Sequence, residues 1–390
     1  MSYLQYIRHL RARDEIANVL DTEEATMETP YLDSLQRPLQ PLKDHLEFSM
    51  YETFEKDPVK YAKYQEAVYL ALKTMDLTSD SSKPIVIAVA GAGRGPLVMR
   101  SIQAFRQLQI PLKIQVYALE KNPSAVVYLE SMAQHNPLWQ GIVTVVNTDV
   151  RQLNQDHLHG RKIDIIVSEL LGSFGDNELS PECLDPLLAS ECCTSSTISI
   201  PMQYTSFLAP VSSCRLHTEA TQQAQVPHDG AQPLGMQRAM ETSYVVRTHS
   251  ASQTHIEQPC WKFDHPCTTS NKERTARVDM APESSSGPIT IHGLLGTFTA
   301  VLFAKGESSC DISIAPHHFS KGMFSWFPIY FPFREPIRVP EGSNVSVKMW
   351  RKTMEGRVWY EWCAIVHRKG EIIEMTPIHN PNGRSSYVSM

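Results

Sequence analysis

Apolar and aromatic residues recur three and four positions apart over 58–75 (Tyr61, Tyr64, Ala67, Val68, Ala71, Leu72), which predicts a helix with one buried face. The period then changes. A polar linker over 76–84 leads into the unbroken apolar run 85–90, which reads as a buried strand, and a helix is expected over 95–108. A strand over 113–119, a helix over 123–135 and strands over 142–146 and 163–167 continue the alternation. Such strand–helix alternation predicts a parallel α/β sheet. Residues 1–45 carry prolines at 30, 38 and 41 and read as an irregular leader laid along another surface.

From about 201 the helical period disappears. Short β-rich runs take its place at 204–208, 244–247, 289–294, 297–303, 312–315, 345–350 and 359–366, separated by turn residues. This pattern predicts an antiparallel barrel or sandwich. Two polar stretches, 218–241 and 268–287, read as long surface loops. The expected organisation is a leader over 1–45, a Rossmann-like α/β domain over 46–200 and an all-β domain over 201–390.

Composition narrows the class. The chain has 390 residues, 42% of them hydrophobic, with 36 basic and 42 acidic side chains and a net charge of −6. A length of this size favours two domains, and the acidic balance argues against a nucleic-acid-binding surface. The eight cysteines form no CxxC pair, so neither a zinc site nor a disulfide framework is expected. His157, His159, His317 and His318 have no matching Cys or carboxylate spacing, and no metal is expected. No run of about 18 apolar residues is present and Met1-Ser2-Tyr3-Leu4-Gln5 lacks a signal-peptide core. The reading is a soluble intracellular protein without a membrane partner.

The candidate chemistry sits at strand ends. Gly91-Ala92-Gly93-Arg94-Gly95-Pro96 follows the first strand and opens a helix. Glycine at Gly91 and Gly93 lets a ligand approach the backbone, where a Cβ would stand in its way. The third glycine comes one position early for the dinucleotide fingerprint, and the lysine of a phosphate loop is missing. Glu120, at the end of the second strand, can accept the two hydroxyls of a ribose. Asp149, after the third, can accept an exocyclic amine. Together they describe an adenosine pocket without phosphates, which S-adenosylmethionine suits. After the fourth strand, Glu169 and Glu178 stand nine positions apart on either side of Leu170-Leu171-Gly172-Ser173-Phe174-Gly175-Asp176-Asn177. Two carboxylates across a turn can clamp a planar cation rich in N–H donors, as the arginine guanidinium is. Taken alone, the segment also reads as a turn with two solvated acids. A nicotinamide-dependent oxidoreductase would use the same glycine loop and Glu120 but leave the paired glutamates without a task. A scaffold that keeps the fold without turnover is the alternative from another class.

Several longer motifs share one pattern: Tyr51-Glu52-Thr53-Phe54-Glu55-Lys56-Asp57-Pro58-Val59-Lys60-Tyr61, the loop from Gly91 to Leu97, and Ser168-Glu169 through Asn177-Glu178-Leu179-Ser180-Pro181-Glu182. Pro201-Met202-Gln203-Tyr204-Thr205-Ser206-Phe207-Leu208-Ala209-Pro210 and Gly322-Met323-Phe324-Ser325-Trp326-Phe327-Pro328 complete it. With these the chain resembles the type II, symmetric-dimethylating protein arginine N-methyltransferases of the methylosome. The resemblance implies a Rossmann-like S-adenosylmethionine domain followed by a β-barrel that binds substrate and dimerises. It implies that Glu169 and Glu178 bind and orient the substrate guanidinium, and that Tyr51, Lys60, Tyr61, Glu120, Asp149 and Val150 contact the cofactor. Phe54 corresponds to the family's specificity phenylalanine, and Trp326 stacks on the arginine, with Ser325 in place of the histidine of type I enzymes. Val150 stands where close relatives often have methionine, and Pro316-His317-His318-Phe319-Ser320-Lys321 departs from the usual segment. The implied substrates are histone tails and Arg-Gly-rich proteins in cytoplasm and nucleus, and the implied assembly is a homo-oligomer. Full-length members also carry an N-terminal TIM barrel that docks a WD-repeat adaptor. This chain begins about where that barrel would end, which puts the adaptor in doubt.

Overall fold

Five parallel strands, β1 (Ile85–Ala90), β2 (Ile114–Glu120), β3 (Val143–Asn147), β4 (Ile165–Ser168) and β5 (Ile198–Ile200), form one sheet in the order β3-β2-β1-β4-β5. The computed structural model describes residues 3–11, 28–75, 83–225, 235–267, 269, 271–281 and 287–390. β1 and β4 are buried throughout, as their unbroken apolar runs require of strands covered on both faces. The strand order reverses beside β1, which pairs with β2 on one side (Ala90 opposite Leu119) and β4 on the other (Ala90 opposite Ser168). A crevice opens at such a switch point, beyond the carboxyl ends of the strands. The glycine loop, Glu120, Asp149 and Glu169 all follow those ends.

The helix Pro58–Lys73 buries Tyr61, Tyr64, Ala67, Val68, Ala71 and Leu72, the face that the spacing marks out. Asp57 caps it by accepting from the Lys60 backbone N–H at 3.0 Å, with Pro58 in the first turn. The Tyr64 hydroxyl donates to the Ser168 carbonyl at 2.9 Å, tying this helix to the end of β4.

The second half is antiparallel. Seven strands pair as one sheet: β6 (Gln203–Ser212), β7 (Tyr244–Val245), β8 (Ser252–Gln253), β9 (Gln258–Asp264), β11 (Ile289–Lys305), β12 (Ser308–Ser313) and β13 (Ile329–Val339). Five more form another: β10 (Arg274–Met280), β14 (Asn344–Met354), β15 (Arg357–Arg368), β16 (Glu371–Met375) and β17 (Val388–Ser389). A single apolar cluster runs from the parallel sheet into both.

Several expectations need correction. The two strands expected at 289–294 and 297–303 are one strand of 17 residues. Gly296, between the two expected runs, is a packing position and not a turn: a Cβ there would lie 2.6 Å from the Phe174 ring. The stretches 218–241 and 268–287 are not simply loops: the helix Cys214–Gln223, capped by Ser213, runs into the first and the helix Met236–Met240 closes it, while β10 occupies much of the second. The leader is not wholly irregular, since Tyr3–Arg11 is helical. Its later part does lie along another surface, with Leu32 and Gln36 bridged to Arg247 and Val245. Most of the linker at 76–84, the leader over 12–27, and residues 226–234, 268, 270 and 282–286 of the expected loops lie outside the described residues.

Candidate functional site

One cavity of about 390 Å³ lies at the carboxyl edge of the parallel sheet, and all thirteen residues singled out above line it. Its floor is the glycine loop. Gly91 and Gly93 adopt φ of 72° and 53°, and a Cβ would come within 3.0 Å of Leu170 and of the Tyr51 ring respectively. Only glycine fits there without strain. Glu120 is buried at the end of β2 and accepts from the backbone N–H of Gly93 at 2.7 Å, and of Lys121 and Asn122 at 2.8 Å each. It therefore ties the glycine loop to the neighbouring strand end while keeping one acceptor site for a hydroxyl donor. Asp149 is gripped by Arg151, which donates from Nε at 2.9 Å and from Nη2 at 2.7 Å. Burial works against its charge, but these bonds hold the Asp149 carboxyl below its ordinary value. Val150 follows at the rim, half-buried. Tyr51 accepts from Asn122 Nδ2 at 3.1 Å, and burial, with Glu120 beside it, pushes its phenol up.

The other end of the cavity is built from the loop after β4. Gly172 and Gly175 exchange backbone hydrogen bonds of 3.2 and 2.8 Å, closing a tight turn that sets Glu169 and Glu178 on either side. Burial, and then the charge of Glu169, pushes the Glu178 carboxyl well above the usual range. Burial also raises Glu169, although Lys60 pulls the other way. Lys60 is itself buried, and its ammonium lies 3.4 Å from Glu169 Oε2. The same ammonium sits 4.6 Å from the ring centre of Tyr61, 5.1 Å from that of Trp326 and 5.6 Å from that of Phe54. Lys60, expected at the cofactor, pairs with Glu169 in this cavity. Burial also pushes the Tyr61 phenol up to about 12.

Trp326 is fixed by its indole N–H, which donates to the Leu171 carbonyl at 2.8 Å, and by an edge-on contact with Phe298. Ser325 does not face the acids with a free hydroxyl. It donates to Asp57 Oδ2 at 2.7 Å, and the backbone N–H groups of Phe324 and Ser325 donate to the same oxygen at 2.9 Å. Asp57, which the motif contained but sequence reasoning gave no role, therefore joins the helix carrying Lys60 and Tyr61 to the loop carrying Trp326. Arg94 was missed as well. It pairs with Glu52 at 2.8 Å and with Glu55 at 3.4 Å, clasping the helix Phe48–Glu55, which presents Tyr51 and Phe54, to the glycine loop. Leu42 of the leader and Leu46 just past it supply a wall, and their carbonyls accept from Lys121 Nζ and, at 3.0 Å, Asn122 Nδ2. Among the described residues no three His, Cys, Asp or Glu side chains come together to hold a metal.

Comparison with known proteins gives this geometry its family. Residues 22–200 match the model described as PRMT5 arginine-N-methyltransferase, and residues 203–388 match the PRMT5 oligomerisation domain. The chain belongs to this arginine N-methyltransferase family. Protein arginine N-methyltransferase 5 of Xenopus laevis is 41% identical over 402 residues, covering 100% of this chain and 57% of the relative. Its namesake from Oryza sativa subsp. japonica is 40% identical over 393 residues, covering 100% of this chain and 55% of the relative. The chain therefore spans about half the length of these curated relatives. The fold is similar to that of a chain in the Trypanosoma brucei PRMT1 enzyme-prozyme heterotetrameric complex with AdoHcy, with a TM-score of 0.67 and 16% identity over 88% of this chain and 98% of that one. Membership in an arginine N-methyltransferase family agrees with a cavity that has acid acceptors and a glycine cradle at one end and paired carboxylates with aromatic rings at the other.

Proposed function

We propose that this chain methylates arginine side chains of proteins with S-adenosylmethionine, giving monomethylarginine and then symmetric dimethylarginine. One observation carries the reading. The paired acids share a place already suited to a cation, where the Lys60 ammonium meets Glu169 and three aromatic faces. A cation over such faces gains roughly 0.5–2 kcal/mol per contact. A guanidinium, with five N–H donors in a plane, can engage both carboxylates where an ammonium engages one.

Gly91, Gly93, Glu120, Asp149, Val150 and Tyr51 would hold the adenosine end of the cofactor. S-adenosylmethionine, when bound, supplies an electrophilic methyl group with a neutral thioether as its leaving group. The remaining task is to make arginine a nucleophile, since its pKa is about 12.5–13.8 and its charge is shared over three nitrogens. Glu169 and Glu178 draw that charge onto the nitrogens they bind and leave the attacking nitrogen richer in electrons. They also fix its approach, and orientation of this kind contributes on the order of 7–11 kcal/mol. As the new N–C bond forms, a proton must leave the nitrogen. Glu178, pushed up by burial and by Glu169, has the higher proton affinity that suits the acceptor. Phe54 limits the room beside the attacking nitrogen and so directs the second methyl to the other one.

Histone tails and Arg-Gly-rich proteins are the proposed substrates. Self-association is part of the reading, supported by the oligomerisation model over 203–388. The trypanosome structure with AdoHcy, the demethylated product of the proposed cofactor, supports the choice of methyl donor. The test is methyl transfer from radiolabelled S-adenosylmethionine to an Arg-Gly-rich peptide, followed by amino-acid analysis. Label in monomethyl and symmetric dimethylarginine is expected. Incorporation no greater than that of Glu169→Gln overturns the reading.

A further inference from the structure

Between the two glutamates the chain leaves the cavity and enters the core of the β strands. Phe174 and Asp176 are wholly buried. The Phe174 ring meets Trp261, Phe331 and Tyr360 edge-on at 5.3, 5.4 and 5.8 Å. Asp176 Oδ1 accepts from the Trp261 indole at 2.9 Å, and Oδ2 accepts from the Tyr360 hydroxyl and from Arg351 Nε, each at 2.6 Å. The Arg351 side chain, on β14, is fully buried. Its Nη2 donates to both oxygens of Glu182 at 3.0 and 2.9 Å, and its Nη1 donates to the Lys272 carbonyl at 3.0 Å. One guanidinium therefore grips the chain on both sides of Glu178, at Asp176 before it and at Glu182 after it.

We propose that Arg351 is a positioning residue that sets Glu178 in the cavity by holding Asp176 and Glu182 from the β part of the molecule. This rests on the reading of Glu178 as a substrate-binding acid. Stability alone is a poor reason for such a cluster, because well-packed apolar side chains often replace a buried ion triad at no loss. Direction is the better reason. A planar fork fixes two carboxylates at set angles, and a lysine cannot span both.

The experiment compares Arg351→Lys and Tyr360→Phe with wild type in turnover, cofactor binding, thermal unfolding and amide hydrogen exchange. A hydrogen bond to a buried charge contributes about 1.5–3 kcal/mol, which converts to roughly ten- to a hundredfold in rate. Arg351→Lys is expected to lower kcat by that factor, and Tyr360→Phe by the lower end of it, with cofactor affinity unchanged. Exchange over 176–182 should rise in both variants while that over 91–95 stays at the wild-type level. Tyr360→Phe keeps the ring and its packing, so it decides the matter if Arg351→Lys does not fold. Unchanged kcat and exchange in a folded variant overturn the proposal, as does a parallel loss of kcat and cofactor affinity. A wild-type chain without turnover strikes the preceding reading, and the exchange comparison then decides the positioning by itself.

Discussion

Two pairs of acids in the cavity share one chemistry and differ in their surroundings. At the glycine-loop end, Glu120 accepts three backbone N–H groups and Asp149 is held by Arg151. At the other end, Glu169 accepts from Lys60 at the longer distance of 3.4 Å, and burial raises both it and Glu178. Donors decide the difference. A carboxylate that accepts several fixed N–H groups is a rigid acceptor, and Asp149 is accordingly pulled below its ordinary value. A carboxylate taken from water with few donors seeks a cation or a proton. The first pair suits recognition of neutral hydroxyl and amine groups, and the second suits guanidinium.

The sharpest break in this contrast comes from Glu178→Gln. Losing a preorganised electrostatic contact costs about 10²–10³ in kcat, so single-turnover methylation should fall by that factor while cofactor binding holds. Glu120→Gln should do the reverse. Its amide would turn N–H groups toward backbone donors, and the loss of a charge-assisted bond, about 1.5–3 kcal/mol, should raise the cofactor KM roughly ten- to a hundredfold. Phe54→Met should alter the ratio of dimethylarginine products by a few-fold, about 1 kcal/mol of difference, as mass spectrometry of the peptide would show. Unchanged, purely symmetric product removes the steric role of Phe54.

The smallest effect is on stability, and its sign separates the two pairs. A raised folded-state value, as in Glu178, contributes stability that is fully present below the unfolded value and is lost as pH rises through the folded one. Asp149 is the reverse: its contribution is present above the unfolded value and is lost as pH falls through the folded one. Glu178→Gln should therefore raise Tm at pH 7.5 by about 1–3 °C and do less at pH 4.5. Asp149→Asn should lower Tm at pH 7.5. Scanning calorimetry at the two pH values checks both. Activity follows its own rule, because Glu178 must be ionised to bind a cation. The acid limb of kcat/KM should then lie above the ordinary carboxylate values of about 4.

The first pair was legible in the sequence because strand ends are local features. The apolar run 85–90 and the strand pattern over 113–119 located β1 and β2, and the residues at and just past their ends formed the crevice. Glu169 and Glu178 were visible for the same reason. Their environment was not, since Arg351 and Tyr360 reach Asp176 from far along the chain. The ammonium of Lys60 lies among the acids only because the helix Pro58–Lys73 packs against the end of β4. Helices were missed where local signals conflicted: Ser180–Leu188 contains Pro186, and Phe48–Glu55 has no buried face of its own. Glycine misled in β11, where Gly296 serves close packing inside a strand and does not end it.

The most direct measurement is isothermal titration of wild type and Glu169→Gln with S-adenosylmethionine, and with an Arg-Gly-rich peptide in the presence of S-adenosylhomocysteine. Cofactor affinity should stay within about twofold of wild type, and peptide affinity should be at least about tenfold weaker. Equal peptide affinity in the two proteins would contradict the claim that these paired acids hold the guanidinium.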